Sequence, residues 1–119
     1  MRLFALNSGS CSCIDSTSNQ DSNHVVKGLV VAVGWTFDIS CVSAPTITVT
    51  TKNNPVTLLN IATDQDGWRY PRTPVHDPAN GNVIANVYSL GIPIDDIVNV
   101  AISDGEDGDS VEITLLLQE

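Results

Sequence analysis

The sequence predicts an all-β chain, an antiparallel β-sandwich or barrel-like domain with an extended N-terminal arm. Three observations lead there. Hydrophobic residues make up 42% of the 119 positions but aromatic ones only 5%, so the core must be built mainly from Val, Ile, Leu and Ala, a composition that favours strands. Short stretches alternate apolar and polar side chains with the period of two that a half-buried strand requires. Proline, glycine and aspartate turns divide them, without the strand-helix alternation of parallel α/β chains. The length suits one domain.

Residues 1–24 read as a polar arm and residues 25–119 as the sandwich domain. In NSGSCSCIDSTSNQDSNH, residues 7–24, Ile14 is the one large aliphatic side chain. Such a segment cannot offset its ordering entropy by its own burial. Ahead of it, Leu3, Phe4 and Leu6 make an apolar tip suited to docking on the same domain or on a neighbouring subunit.

Next comes VVKGLVVAVGWTFDISCV, residues 25–42, rich in β-branched side chains and interrupted by Gly28 and Gly34. It predicts two strands divided near Gly34, with Gly28 marking a bulge. Trp35, Phe37, Ile39 and Cys41 would share one face of the second strand, and Thr36, Asp38 and Ser40 the other. TITVTT, residues 46–51, sets Ile47 and Val49 against Thr46, Thr48 and Thr50. KNNP is a turn, VTLLNIA at residues 56–62 another strand, and loop chemistry fills residues 64–82. Three last strands fall at residues 83–90, 97–103 and 111–117, separated by GIPIDD and DGEDGD. In the last, Val111, Ile113, Leu115 and Leu117 face inward and Glu112 and Thr114 outward. Leu116 breaks that polar face; beside Val98 or Val100 it reads as ordinary surface or as a subunit contact.

The formal net charge is -9, with three acidic groups in residues 1–60 and eleven in residues 61–119. That field repels phosphate backbones and anionic lipid, which argues against nucleic-acid and membrane partners. No apolar run matches a secretory signal or a membrane span, so synthesis in the cytoplasm is expected. Cys11, Cys13 and Cys41 are an odd set, compatible with isolated thiols, with one disulfide from Cys41 to Cys11 or Cys13, or with a metal site completed by other ligands.

Candidate sites are few. Asp64-x-Asp66-Gly67 has the start of a calcium loop, but position 12 counted from Asp64 is Val75 rather than glutamate, so an acidic turn competes with an irregular calcium site. Asp104, Glu106, Asp107 and Asp109 form a denser cluster that reads as a solvated turn or a calcium site. His24 and His76 have no nucleophile elbow to serve, and no phosphate loop precedes a helix. Catalysis, cofactor and bound metal are therefore not predicted. In DQDGWRYPR, Trp68 and Tyr70 share one face of an extended segment and Arg69 points away. They suit core packing, a protein interface or a sugar platform. Arg69 and Arg72 suit carboxylate pairing.

DQDGWRYPRTPVHDPANGNVI, followed by Val/Ile-rich strands and an acidic hairpin, resembles small β-rich head proteins of tailed bacteriophages, over residues 64–117. Trp68, Tyr70, Pro71, Arg72 and Asp77 carry the likeness. It implies a non-enzymatic virion component, a capsid decoration or cement protein that stabilises shell subunit junctions on the capsid surface. Its partners would be the major capsid protein and further copies of itself. The expected interface residues are Leu3, Phe4, Leu6, Trp68, Arg69, Tyr70 and Arg72. The alternative is a carbohydrate-binding or receptor-facing β module of a fibre-like assembly.

Overall fold

The computed structural model describes residues 2–11, 17–37, 44–106 and 108–118. Among them are eleven strands: β1 (Arg2–Asn7), β2 (Ser18–Asp21), β3 (Val26–Phe37), β4 (Thr46–Thr51), β5 (Thr57–Ala62), β6 (Gly67–Arg69), β7 (Arg72–His76), β8 (Val83–Leu90), β9 (Ile92–Asp96), β10 (Val98–Ser103) and β11 (Val111–Gln118). One sheet runs β1-β11-β3-β6, with β9 also paired to β3; a second runs β2-β10-β4-β5; β7 and β8 form a separate ribbon. All pairings are antiparallel. The two larger sheets make a sandwich-like body, and none closes into a barrel.

Alternation explains the body. β4, β10 and β11 each bury every second residue, and the core joins Val30, Val33, Ile113 and Leu115 to Ile47, Val49, Val98 and Val100 of the opposite sheet. Each fully buried aliphatic side chain contributes about 1.5–3 kcal/mol relative to exposure. The inward set expected of the last strand, Val111, Ile113, Leu115 and Leu117, is buried as predicted.

Several expectations need correction. Residues 1–24 are not an extended arm where they are described: β1 pairs along β11, and β2 along β10. Phe4 and Leu6 pack against the core, so a tertiary partner supplies the burial that the segment lacks locally. Gly34 does not divide two strands, since β3 runs unbroken through it. Gly28 is paired with Ile94 in register; the irregularity lies where Val30 and Ala32 oppose Leu117 and Leu116 and Val31 has no partner. GIPIDD is no mere separator, because β9 lies within it, and the loop at residues 64–82 holds β6 and β7. Leu116 pairs with Leu3 and Ala32, whereas Val98 and Val100 are core residues of the other sheet. Ile39, Cys13, Cys41 and Asp107 lie outside the described residues.

Where β9 meets β10, Asp96 fastens the turn between β4 and β5. Its carboxylate accepts from the Asn53 and Asn54 amides at 2.9 and 2.8 Å, from Asn53 Nδ2 at 2.9 Å and from the Ile97 amide at 2.6 Å. These donors, the Asn54 amide foremost, hold its carboxyl below the ordinary aspartate value of 3.8 against the opposing effect of burial. The contribution is present above that value and lost as pH falls through the lowered one. The thermal midpoint should stay level from pH 7 to about 5 and drop below about 4. Asp96→Ala should lower it by roughly 5–10 °C at pH 7 by stranding three amides, and should flatten part of the acid drop in calorimetric scans.

Candidate docking face

The site is built around a gap beside β3. β6 pairs with β3 from Val33 to Trp35 and β9 pairs with the same flank from Val26 to Val30. Between them the flank is uncovered, and there the chain leaves the sheet at Tyr70-Pro71 and returns at Gly91. Tyr70 precedes a proline and so favours an extended backbone. Gly91 has φ +79°, and a Cβ there would lie 2.8 Å from both Leu29 Cγ and the Val30 carbonyl oxygen. No other residue closes that root without strain.

The excursion is the β7-β8 ribbon. Gly91 N–H donates to the Pro71 carbonyl at 2.9 Å and Thr73 Oγ1 to the Gly91 carbonyl at 2.7 Å, which ties the root. At the tip, Asp77 N–H donates to the Asn82 carbonyl and Asp77 Oδ1 accepts from Ala79 N–H, both within 2.8 Å. In between, four residues of β8 oppose Val75 alone, and Asn86 takes φ 63°. Such a bulge bends and twists the ribbon and blunts its edge. Pro74 has no amide hydrogen for further pairing.

Every residue of β8 is exposed. Val83, Ile84, Val87, Tyr88 and Leu90 are among the large apolar side chains left in solvent. The molecule measures 52 × 28 × 24 Å, and the ribbon pairs with neither of the larger sheets. An isolated two-stranded ribbon is marginal in water, so this one presents apolar surface without the third layer that would cover it.

The face continues onto the sheet. Leu3, Leu116 and Ala32 form one cross-strand row, and Ala5, Thr114, Gly34 and Trp68 the next. Gly34 is glycine because the Trp68 ring lies on it: a Cβ would meet three ring atoms at 2.8 Å. The relation is reciprocal one pair along, where Trp35 covers Gly67 on the core side, its Cζ2 2.8 Å from a Cβ there. Trp68 is 48% exposed and Tyr70 68%. Beside them a groove of about 430 Å³ is lined by Val31, Ala32, Tyr70, Leu90 and Leu116, with Arg72 and Gln118 as its polar members.

Among the expected interface residues, Leu3 lies on the same sheet face as Trp68, while Tyr70 and Arg72 line the groove. Phe4 and Leu6 are turned to the core. Arg69 points away from Trp68, its guanidinium 5.8 Å from the Trp35 ring centroid. Val83, Ile84, Val87, Tyr88 and Leu90 were not among those expected, although apolar side chains on both parities of VIANVYSL signal a strand whose two faces are unlike a half-buried one.

Within the acidic motifs, Asp66 and Asp109 accept backbone hydrogen bonds, while Asp104 and Glu106 are exposed. Asp66 Oδ1 accepts from Phe37 N–H at 2.9 Å and Asp64 Oδ1 from Gln65 Nε2 at 3.2 Å. Asp109 is buried, its Oδ2 accepting from Glu106 N–H at 2.8 Å. Cys11 is buried beside the same turn, exchanging backbone hydrogen bonds with Asp109 and Gly108. Among the described residues no three His, Cys, Asp or Glu side chains are placed to hold a metal ion, and no helix is long and apolar enough to cross a membrane. Asp21 is held below its ordinary value by the hydrogen bond from Lys52, at 2.7 Å, and by Asn99; neither Asp21 nor Lys52 lines the groove.

No family model, curated protein or solved structure matches the chain.

Proposed function

We propose that the chain is a non-enzymatic assembly module, a decoration or cement component of a tailed-phage head that docks at junctions between shell subunits and uses its ribbon face as an assembly surface. One observation carries this reading: an eight-residue strand that is exposed throughout and largely apolar, on a bulged ribbon unsuited to strand addition. Monomers seldom leave apolar patches larger than a few hundred Å² in one place. Docking across a junction would stabilise the assembled shell by mass action. The major capsid protein is the expected partner on the shell.

The sugar-binding alternative has one observation of its own. Trp68 lies against Gly34 and is half exposed, which leaves an aromatic surface to solvent close in the chain to Tyr70, a residue of the groove that Arg72 and Gln118 also line. Co-sedimentation with assembled head shells separates the two. Saturation at a fixed ratio to shell subunits is expected; absence of binding, together with tryptophan fluorescence quenched by oligosaccharides, would replace the assembly reading with the sugar one.

A further inference from the structure

We infer that the ribbon face is occupied by a second copy of this chain, in a reciprocal exchange across a two-fold axis in which each ribbon tip enters the groove at the other's root. The inference rests on the reading of the face as an assembly surface and names its occupant.

Charge selects the occupant. The chain carries -9 overall and eleven acidic residues after position 60, yet within β7, β8 and their turn Asp77 is the one acidic residue and β8 carries no charge. Two copies of so acidic a chain meet most readily where like charge is lowest. A basic partner would instead be drawn to the acidic body, for example around Asp104 and Glu106, both exposed.

Polarity selects the direction. The charged residues of the ribbon are Arg72 at its root, opposite Leu90, and Asp77 at its tip, beside the turn. Laying two ribbons antiparallel about a two-fold axis brings each Asp77 to the other copy's Arg72, forming two ion pairs; a parallel arrangement would set like charges together. The same antiparallel placement delivers Val83 at the tip to the groove lined by Val31, Ala32 and Leu116, and brings the two Val87 side chains, of the same strand parity, near the axis.

Area permits it. Given 150–250 Å² for a whole aromatic side chain, the exposed apolar groups of the ribbon and its root offer on the order of 500 Å² per copy. Mutual burial of about 1,000 Å² reaches the lower end of specific interfaces. The β8 bulge and Pro74 disfavour edge-to-edge strand pairing, so side chains rather than backbone bonds make the contact.

Sedimentation of the full chain tests this. Wild type should form a dimer at micromolar concentration, and Val87→Glu, placing two carboxylates near the axis, should weaken it by more than about 100-fold. Arg72→Glu alone and Asp77→Arg alone should each weaken self-association by about 10- to 100-fold, since each sets two like-charged contacts in a homodimer. An equimolar mixture of the two variants should recover the dimer, because both contacts become opposite in charge. Circular dichroism confirms that each variant is folded before it is read. A monomeric wild type, a dimer indifferent to Val87→Glu, or a mixture that fails to recover would each overturn the exchange. A monomer that still saturates head shells would overturn this inference and leave the proposed function standing; the predicted dimer failing to bind shells would keep the exchange and remove the shell role.

Discussion

Trp35→Ala is expected to cost about 3–5 kcal/mol of stability, a thermal midpoint lowered by roughly 10–20 °C, whereas Trp68→Ala should cost only about 1–2 kcal/mol. The two tryptophans are related by a local exchange of roles: each covers the glycine paired directly opposite it, Trp35 on Gly67 and Trp68 on Gly34. Their surroundings differ. Trp35 is 5% exposed, donates from Nε1 to the Gln65 carbonyl at 2.7 Å and carries Arg69 over its ring. Its removal leaves a large cavity at the sheet edge and frees both the turn at Gln65 and the guanidinium. Trp68 already gives about half of its surface to water, so its loss uncovers Gly34 but opens nothing deep. Urea unfolding of the two variants measures the difference. Equal losses would place Trp68 in the core and remove it from the docking face.

Local alternation made part of this fold legible. TITVTT and VEITLLLQ bury alternate residues because each has one neighbouring layer to face, and the period of two records that directly. The elements that escaped depend on distant partners. Gly34 looks like a break until Trp68 is laid across it, and β1 and β2 look too polar or too short until β11 and β10 provide edges to pair with. In GIPIDD the alternation of Ile92 and Ile94 was present but masked by Pro93 and the two aspartates. Residues 83–90 were recognisable as a strand, yet periodicity cannot say which sheet a strand joins. The site was legible in the same partial way: Trp68, Tyr70 and Arg72 stood out by residue type, while the ribbon that completes their face depends on the gap between β6 and β9 along β3.

Because the ribbon leaves and rejoins the body through that gap, replacing Pro74 to Tyr88 by Asn-Gly should abolish association while sparing the fold. Thr73 and Ser89 are directly paired, and a two-residue Asn-Gly turn closes an antiparallel pair with the twist that strands prefer. The root bonds of Pro71, Thr73 and Gly91 remain, and the body core draws on no residue of β7 or β8. Thermal unfolding should therefore stay cooperative with a midpoint within about 5 °C of wild type, since surface changes away from the core usually stay within about 0.5 kcal/mol. Self-association and shell binding should both fall by more than about 100-fold, the loss expected when the apolar anchors of an interface are removed. Sedimentation and shell co-sedimentation of one preparation supply both readouts. If the shortened chain unfolds, the ribbon supports the body and its exposure is no guide to partners. If it folds and still binds, the docking surface lies on the sheet row of Leu3 and Leu116. Loss of binding with an unchanged body would locate assembly in the ribbon itself, the part of the molecule that folding alone leaves uncovered.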